Sequence, residues 1–149
     1  MSNDATDQDT DARWHTLTPD SVDDLTSRYE FGDACVREVI QRSSYGKGSE
    51  RSGSVVIDVR TKSELEWVTL RLEFRHVRNY RIVDINTFSW VLYDSPHLAK
   101  DGTGLLHLDF DTTTPEDLRT PEEMGKASHL YFAARAITWT AVPGDDATG

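Results

Sequence analysis

His107, Asp109 and Asp111, separated by single apolar residues in His107-Leu108-Asp109-Phe110-Asp111, form the stretch best equipped for chemistry. In an extended strand, alternate side chains share a face and lie roughly 7 Å apart. One imidazole and two carboxylates in that row suit a divalent metal, provided a neighbouring strand closes the site. The same alternation also describes the polar outer face of a half-exposed strand, and no second ligand motif accompanies it. His76 and His97 are isolated, His129 begins a strand, and a general base needs a partner that holds it in place. The chain has no Gly-x-Ser-x-Gly elbow and no phosphate-cradling glycine loop. The sequence therefore indicates no catalytic residue and no cofactor.

The elements that must position these groups are strands. Trp67 to Arg75 carries Val68, Leu70, Leu72 and Phe74 alternating with Thr69, Arg71, Glu73 and Arg75. That is the period-2 pattern of a strand with one face on a core and one in water. Ser54 to Arg60 repeats it, with Val55, Ile57 and Val59 inward and Asp58 outward, and Thr61-Lys62-Ser63-Glu64 turns the two into an antiparallel hairpin. Before them, Gly32-Asp33 predicts a sharp turn into a first strand, Cys35 to Arg42, and Ser43 to Gly53 reads as a loop. Beyond them, short strands are expected at Tyr80 to Val83 and Phe88 to Tyr93, with Asn86-Thr87 turning between. Lys100-Asp101-Gly102 marks a turn before Leu105 to Asp111.

Thr114-Pro115 and Thr120-Pro121-Glu122-Glu123 both resemble helix starts, so residues 112–127 are expected to hold a helical turn or two. In the final strand, Ser128 to Val142, Leu130, Phe132 and Ala134 share a face while Ile137 and Trp139 take the opposite parity. A bulge near Ala134 to Ala136 would produce that phase change. Thr18-Pro19 opens a short N-terminal helix, with acidic residues at its positive end. The fold class is mainly β (α+β): about seven strands in one curled or barrel-like antiparallel meander with a short N-terminal helix. Residues 13–142 form the domain, and 1–12 and 143–149 are disordered tails.

The chain carries a net charge of −10, from 26 acidic and 16 basic side chains. Seven Asp fall within residues 1–24 and two more are Asp145 and Asp146, so the acidity belongs mostly to the ends. These ends read as solvated tails, or as an arm that steers the protein to a basic partner. Without a basic stripe to neutralise phosphates, direct nucleic-acid binding is not expected. The single cysteine, Cys35, excludes a disulfide framework and reads as a buried structural thiol. No apolar run spans a membrane and no signal peptide is evident, which places the chain in the cytoplasm. Trp67 opposes the core parity of its strand, and Trp14 lies in a polar segment. A small core beneath the N-terminal helix would house both, and interface anchoring is the alternative. Trp90 and Trp139 read as core or sheet-edge residues.

Three motifs carry a resemblance across residues 29–140. Phe31-Gly32-Asp33-Ala34-Cys35-Val36 is similar to the aromatic-x-Asp-(Ala/Ser)-x-(Ile/Val) opening of a group of small bacterial β-rich domains. Leu70-Arg71-Leu72-Glu73-Phe74-Arg75-His76-Val77 resembles their Leu-x-Leu-x-Phe-x-x-Val strand, and Leu130 to Ile137 their closing Phe-x-Ala-x-x-Ile strand. That group includes polymorphic-toxin immunity proteins. Gly32 replaces a histidine common at that place, which removes any Asp–His pair from the turn. The resemblance implies a non-enzymatic protein that neutralises a cognate toxin by binding it, and a basic toxin would suit the acidic chain. Trp67, Asp58, Glu73, Asp109 and Asp111, on solvent-facing strand positions, are the expected partner-binding residues. The alternative is a small ligand- or metal-binding barrel, enzymatic or not, built on His107, Asp109 and Asp111.

Overall fold

The computed structural model describes residues 13–84, 90–113, 116 and 118–143. The two tails thus lie outside the described residues but for Pro143, as do the Asn86-Thr87 turn and Thr114-Pro115. Strands β1 (His15–Thr16), β2 (Tyr29–Ser43), β3 (Arg51–Thr61), β4 (Trp67–Ile82), β5 (His97–Lys100), β6 (Leu106–Asp109) and β7 (Leu130–Pro143) are joined by helices α1 (Val22–Arg28) and α2 (Pro121–Ala127). The seven antiparallel strands make one curled half-barrel sheet, so the chain is mainly β as its alternation predicts.

Strand order is β2-β3-β4-β7-β6-β5, with β1 pairing the far end of β7. Two three-stranded meanders are therefore joined edge to edge, and consecutive pairing is interrupted once, where β7 docks on β4. The long ladder runs from Val68↔Pro143 to Ile82↔Leu130. The concave side holds the core: Val55, Ile57 and Val59 of β3, Leu70, Leu72 and Phe74 of β4, and Phe132, Ile137 and Trp139 of β7. Leu25 of α1 joins that core, and Arg28 lies 6.0 Å above the Trp139 ring.

Several local expectations are corrected. Gly32-Asp33 does not turn the chain: β2 already begins at Tyr29, and the register shifts between Glu30 and Cys35. Asp33 itself adopts φ 72°, a left-handed conformation that Asp tolerates. Cys35 is exposed rather than buried. Tyr80 to Val83 is no separate strand but the continuation of β4, because a one-residue slip between Val77 and Asn79 absorbs the break in pattern. Of the expected strand at Phe88 to Tyr93, Phe88 and Ser89 lie outside the described residues, and Val91 makes a single bridge to Cys35. Residues 97–100 form a strand where Lys100-Asp101 signalled only a turn. Thr18 does not cap α1; Ser21 occupies that position and exchanges hydrogen bonds with Thr18.

The phase change in β7 is present, with Ala134 and Ile137 both in the core. Its counterpart on β4 is the step from Phe74 to Val77, where His76 takes φ 55°. Residues 121–127 form a helix capped by Thr120, whose Oγ1 accepts from the Glu123 amide while Glu123 accepts from the Thr120 amide. This reciprocal pair satisfies two of the four amide donors that a helix start leaves open.

Candidate functional site

Two groups of side chains correspond to the residues singled out by the sequence, and they differ in kind. The first is the outer face of the β2-β3-β4-β7 sheet. Inward Leu70 and Leu72 leave Trp67, Thr69, Arg71, Glu73 and Arg75 on the opposite side of β4. The register then sets cross-strand rows: Cys35, Asp58, Thr69 and Val142 in one, Glu38, Val56, Arg71 and Thr140 in the next. Trp14 precedes β1, and the Arg13 carbonyl accepts from Thr140 Oγ1, which sets that segment against the β7 edge.

Trp67 and Trp14 are 45% and 46% exposed, so the expected small core beneath α1 does not house them. The Arg60 guanidinium lies 5.4 Å from the centre of the Trp67 ring, as their cross-strand pairing dictates. Such a cation over an indole face contributes about 0.5–1 kcal/mol at an exposed site and fixes the ring's orientation. Asp58 accepts from Thr69 Oγ1 at 3.2 Å and pairs with Arg37 at 3.4 Å. A shallow depression of about 370 Å³ runs between Arg37, Glu38, Val56, Thr69, Arg71 and Val142. Trp67, Asp58 and Glu73 therefore share one open face.

Asp109 and Asp111 belong elsewhere. The alternation of β6 holds, but its polar side is covered by β7, α2 and the chain around Arg119, so Asp109 is 0% exposed. Its carboxylate accepts from Ser128 Oγ at 2.7 Å, from Arg119 Nη1 at 3.1 Å and from the Asp111 amide at 3.0 Å. Asp111 in turn accepts from the His129 amide at 3.0 Å and pairs with His129 Nδ1 at 2.7 Å. Arg119 Nη1 also donates to the Asp111 carbonyl at 2.6 Å. The expectation that Asp109 faces solvent is thus corrected: the cluster ties the connection after β6 to the start of β7. Removing one member of a buried pair of this sort leaves an uncompensated charge and costs about 3–5 kcal/mol.

His107 makes a third polar arrangement. Its Nε2 lies 2.8 Å from Asp101 Oδ2 and its Nδ1 2.7 Å from the Tyr131 hydroxyl. A carboxylate only accepts, so Nε2 donates to Asp101, and Nδ1 shares a hydrogen bond with the Tyr131 hydroxyl. Asp101 is held well below the usual carboxylate range, first by the Thr103 hydroxyl and then by His107. Burial pushes the Tyr131 hydroxyl up to about 12. Among the described residues, no group of three or more His, Cys, Asp or Glu is disposed to hold a metal ion. Asp109 and Asp111 share Arg119, whereas His107 turns away to Asp101 and Tyr131. The cavity bordering Asp111 is about 10 Å³, at the lower limit for one water molecule.

No local sequence pattern marks Asp101, Arg119, Ser128 or Tyr131 as members of these clusters. Asp101-Gly102 signals a turn, and nothing local shows that the same carboxylate reaches back to His107. Arg71 and Arg75 were visible as outward residues of the clearest strand, but their neighbours depend on strand order. Compared with family models, with curated proteins and with solved structures, the chain finds no match in any of the three. Among the described residues, no helix is long and apolar enough to cross a membrane.

Proposed function

We propose that this chain is a non-enzymatic protein-binding domain of the immunity type, which neutralises a cognate toxin by covering it with the outer sheet face. The observation that carries the reading is the exposure of Trp67 on an open face studded with arginines, with Trp14 exposed as well just before β1. Trp and Arg are the residues most enriched among interface hot spots, and a ring already oriented by Arg60 loses little freedom on binding. Asp58 and Glu73 supply acceptors for basic groups of a partner, and the acidic chain ends favour its approach. The ligand-binding alternative around His107 and Asp109 gains no support, since their polar atoms are satisfied within the fold. The cytoplasm remains the proposed location.

The test is a pull-down from source lysate with the tagged chain and its Trp67→Ala variant, read by mass spectrometry. A protein retained stoichiometrically by the parent chain and lost by the variant is expected. Expressed alone that protein should arrest growth, and co-expression of the parent chain should relieve the arrest. Equal retention by a folded Trp67→Ala variant, or a captured protein that is harmless alone, would refute the proposal.

A further inference from the structure

Arginines scattered through the sequence are gathered at one end of the sheet. Arg42 pairs with Ser52, and Ser52 with Arg75, so two guanidinium groups flank a small hydroxyl residue in one cross-strand row. They border a depression of about 760 Å³, whose rim also carries Glu50 and Glu73. Next to it, Arg51 and Arg78 border a second depression of about 440 Å³ together with Tyr45 and His76. Ser44 and Glu50 line both, so the two depressions flank the same loop between β2 and β3. Four arginines against two carboxylates make this a local positive site in a chain of net charge −10. Among the described residues, none of the four makes a salt bridge within 4.0 Å, whereas Arg37 and Arg119 both do.

Backbone geometry reinforces the grouping. His76 adopts φ 55°, which is uncommon for a residue with a β-carbon. His76 is exposed beside Arg75 and Arg78, where strict alternation would have turned it to the core. Tyr45 is 82% exposed at the tip between β2 and β3, an unsupported aromatic plane beside Arg51 and Arg78.

We propose that this cleft binds a small phosphorylated ligand, with Arg42 and Arg75 gripping the phosphates across Ser52. Guanidinium forks match phosphate oxygens bidentately, and the Ser52 hydroxyl between them adds a donor. Size follows from screening. Charges more than about 8 Å apart are largely screened at physiological ionic strength. A compact phosphate group therefore senses the arginines, whereas a long polyanion extends over the acidic remainder of the chain. Trp67 lies at the other end of β4, roughly 27 Å from Arg75 by strand rise, while Glu73 borders both this cleft and the proposed partner face.

Calorimetric titration with pyrophosphate, ATP and a single-stranded oligonucleotide tests the assignment. Pyrophosphate and ATP should each saturate one site. Arg42→Ala and Arg75→Ala should weaken both by roughly tenfold or more, as expected for loss of a hydrogen bond to a charged group. Arg60→Ala, at the far end of the same face, should change neither, and a single cooperative thermal transition in each would confirm that all three variants fold. Tyr45→Ala separates the sources of the phosphate: loss for ATP alone identifies a nucleotide, and equal behaviour identifies the phosphate group as the whole determinant. Failure of both small ligands to saturate, indifference to both arginine substitutions, or tighter binding of the oligonucleotide would overturn the proposal.

Discussion

Tyr131 ordinarily would ionise near 10.0, and in the folded chain this is pushed up to about 12. Desolvation is the main cause, and the nearby carboxylates of Asp101 and Asp109 act in the same direction. The unfolded chain therefore releases this proton first as the solution becomes alkaline. Stability from the neutral hydroxyl is fully present below pH 10.0 and falls as pH rises toward about 12. Asp101 has the opposite sign: its lowered pKa stabilises the fold above its ordinary value of 3.8, and that contribution fades as pH falls further. The His107 ring joins the two groups, so its neighbours act at opposite ends of the pH scale. Denaturant midpoints measured from neutral pH to about pH 11 should drop more steeply for the parent chain than for Tyr131→Phe. Parallel curves would mean that the tyrosine ionises as easily folded as unfolded.

Pairing between elements explains a glycine that local sequence misrepresents. Gly53 lies in β3 opposite Phe74, and the Phe132 ring of β7 stacks on Phe74 at 4.5 Å between centroids. A β-carbon at Gly53 would stand 2.5 Å from Phe132 Cε1, inside any real contact distance. Phe132 is fully buried and has no space to retreat into. Gly53→Ala is therefore expected to destabilise by about 1–3 kcal/mol through overpacking, reduced by some tenths because alanine restricts the unfolded chain. Thermal melts check this, and a variant as stable as the parent would show that the aromatic stack can slide. Read locally, Gly53 ends a Ser- and Gly-rich loop. Its role depends on β7, nearly eighty residues away, and no windowed pattern carries that. The same limit hid β5, whose four residues are held by pairing with β6 rather than by their own alternation. Long amphipathic strands such as β3 and β4 were legible because burial on one face writes itself into every second residue. Sites were legible only in part: Trp67, Asp58 and Glu73 follow from parity within a strand. The burial of Asp109 follows from what packs above it.

Over the whole molecule, the two meanders share one core rather than stacking as separate units. Phe74 of the first meander contacts Phe132 of β7 by stacking and Phe110, just beyond β6, edge-on at 6.4 Å between centroids. The β4–β7 ladder that joins the halves extends through nearly the full length of both strands. Opening the β5-β6 half would strip Phe74, Leu108 and Phe132 of their neighbours and expose the buried Asp109–Arg119 pair. Neither half retains a closed core alone, so unfolding should be a single cooperative transition. Far-UV circular dichroism, which reports all strands, and fluorescence of the buried Trp139 should give the same denaturant midpoint. Amide exchange should assign Leu108 in β6 and Ile57 in β3 comparable opening free energies, because both require loss of the common core. Separated midpoints, or a Leu108 amide that exchanges through a far easier opening, would mean that the β4–β7 ladder holds two units side by side without coupling them.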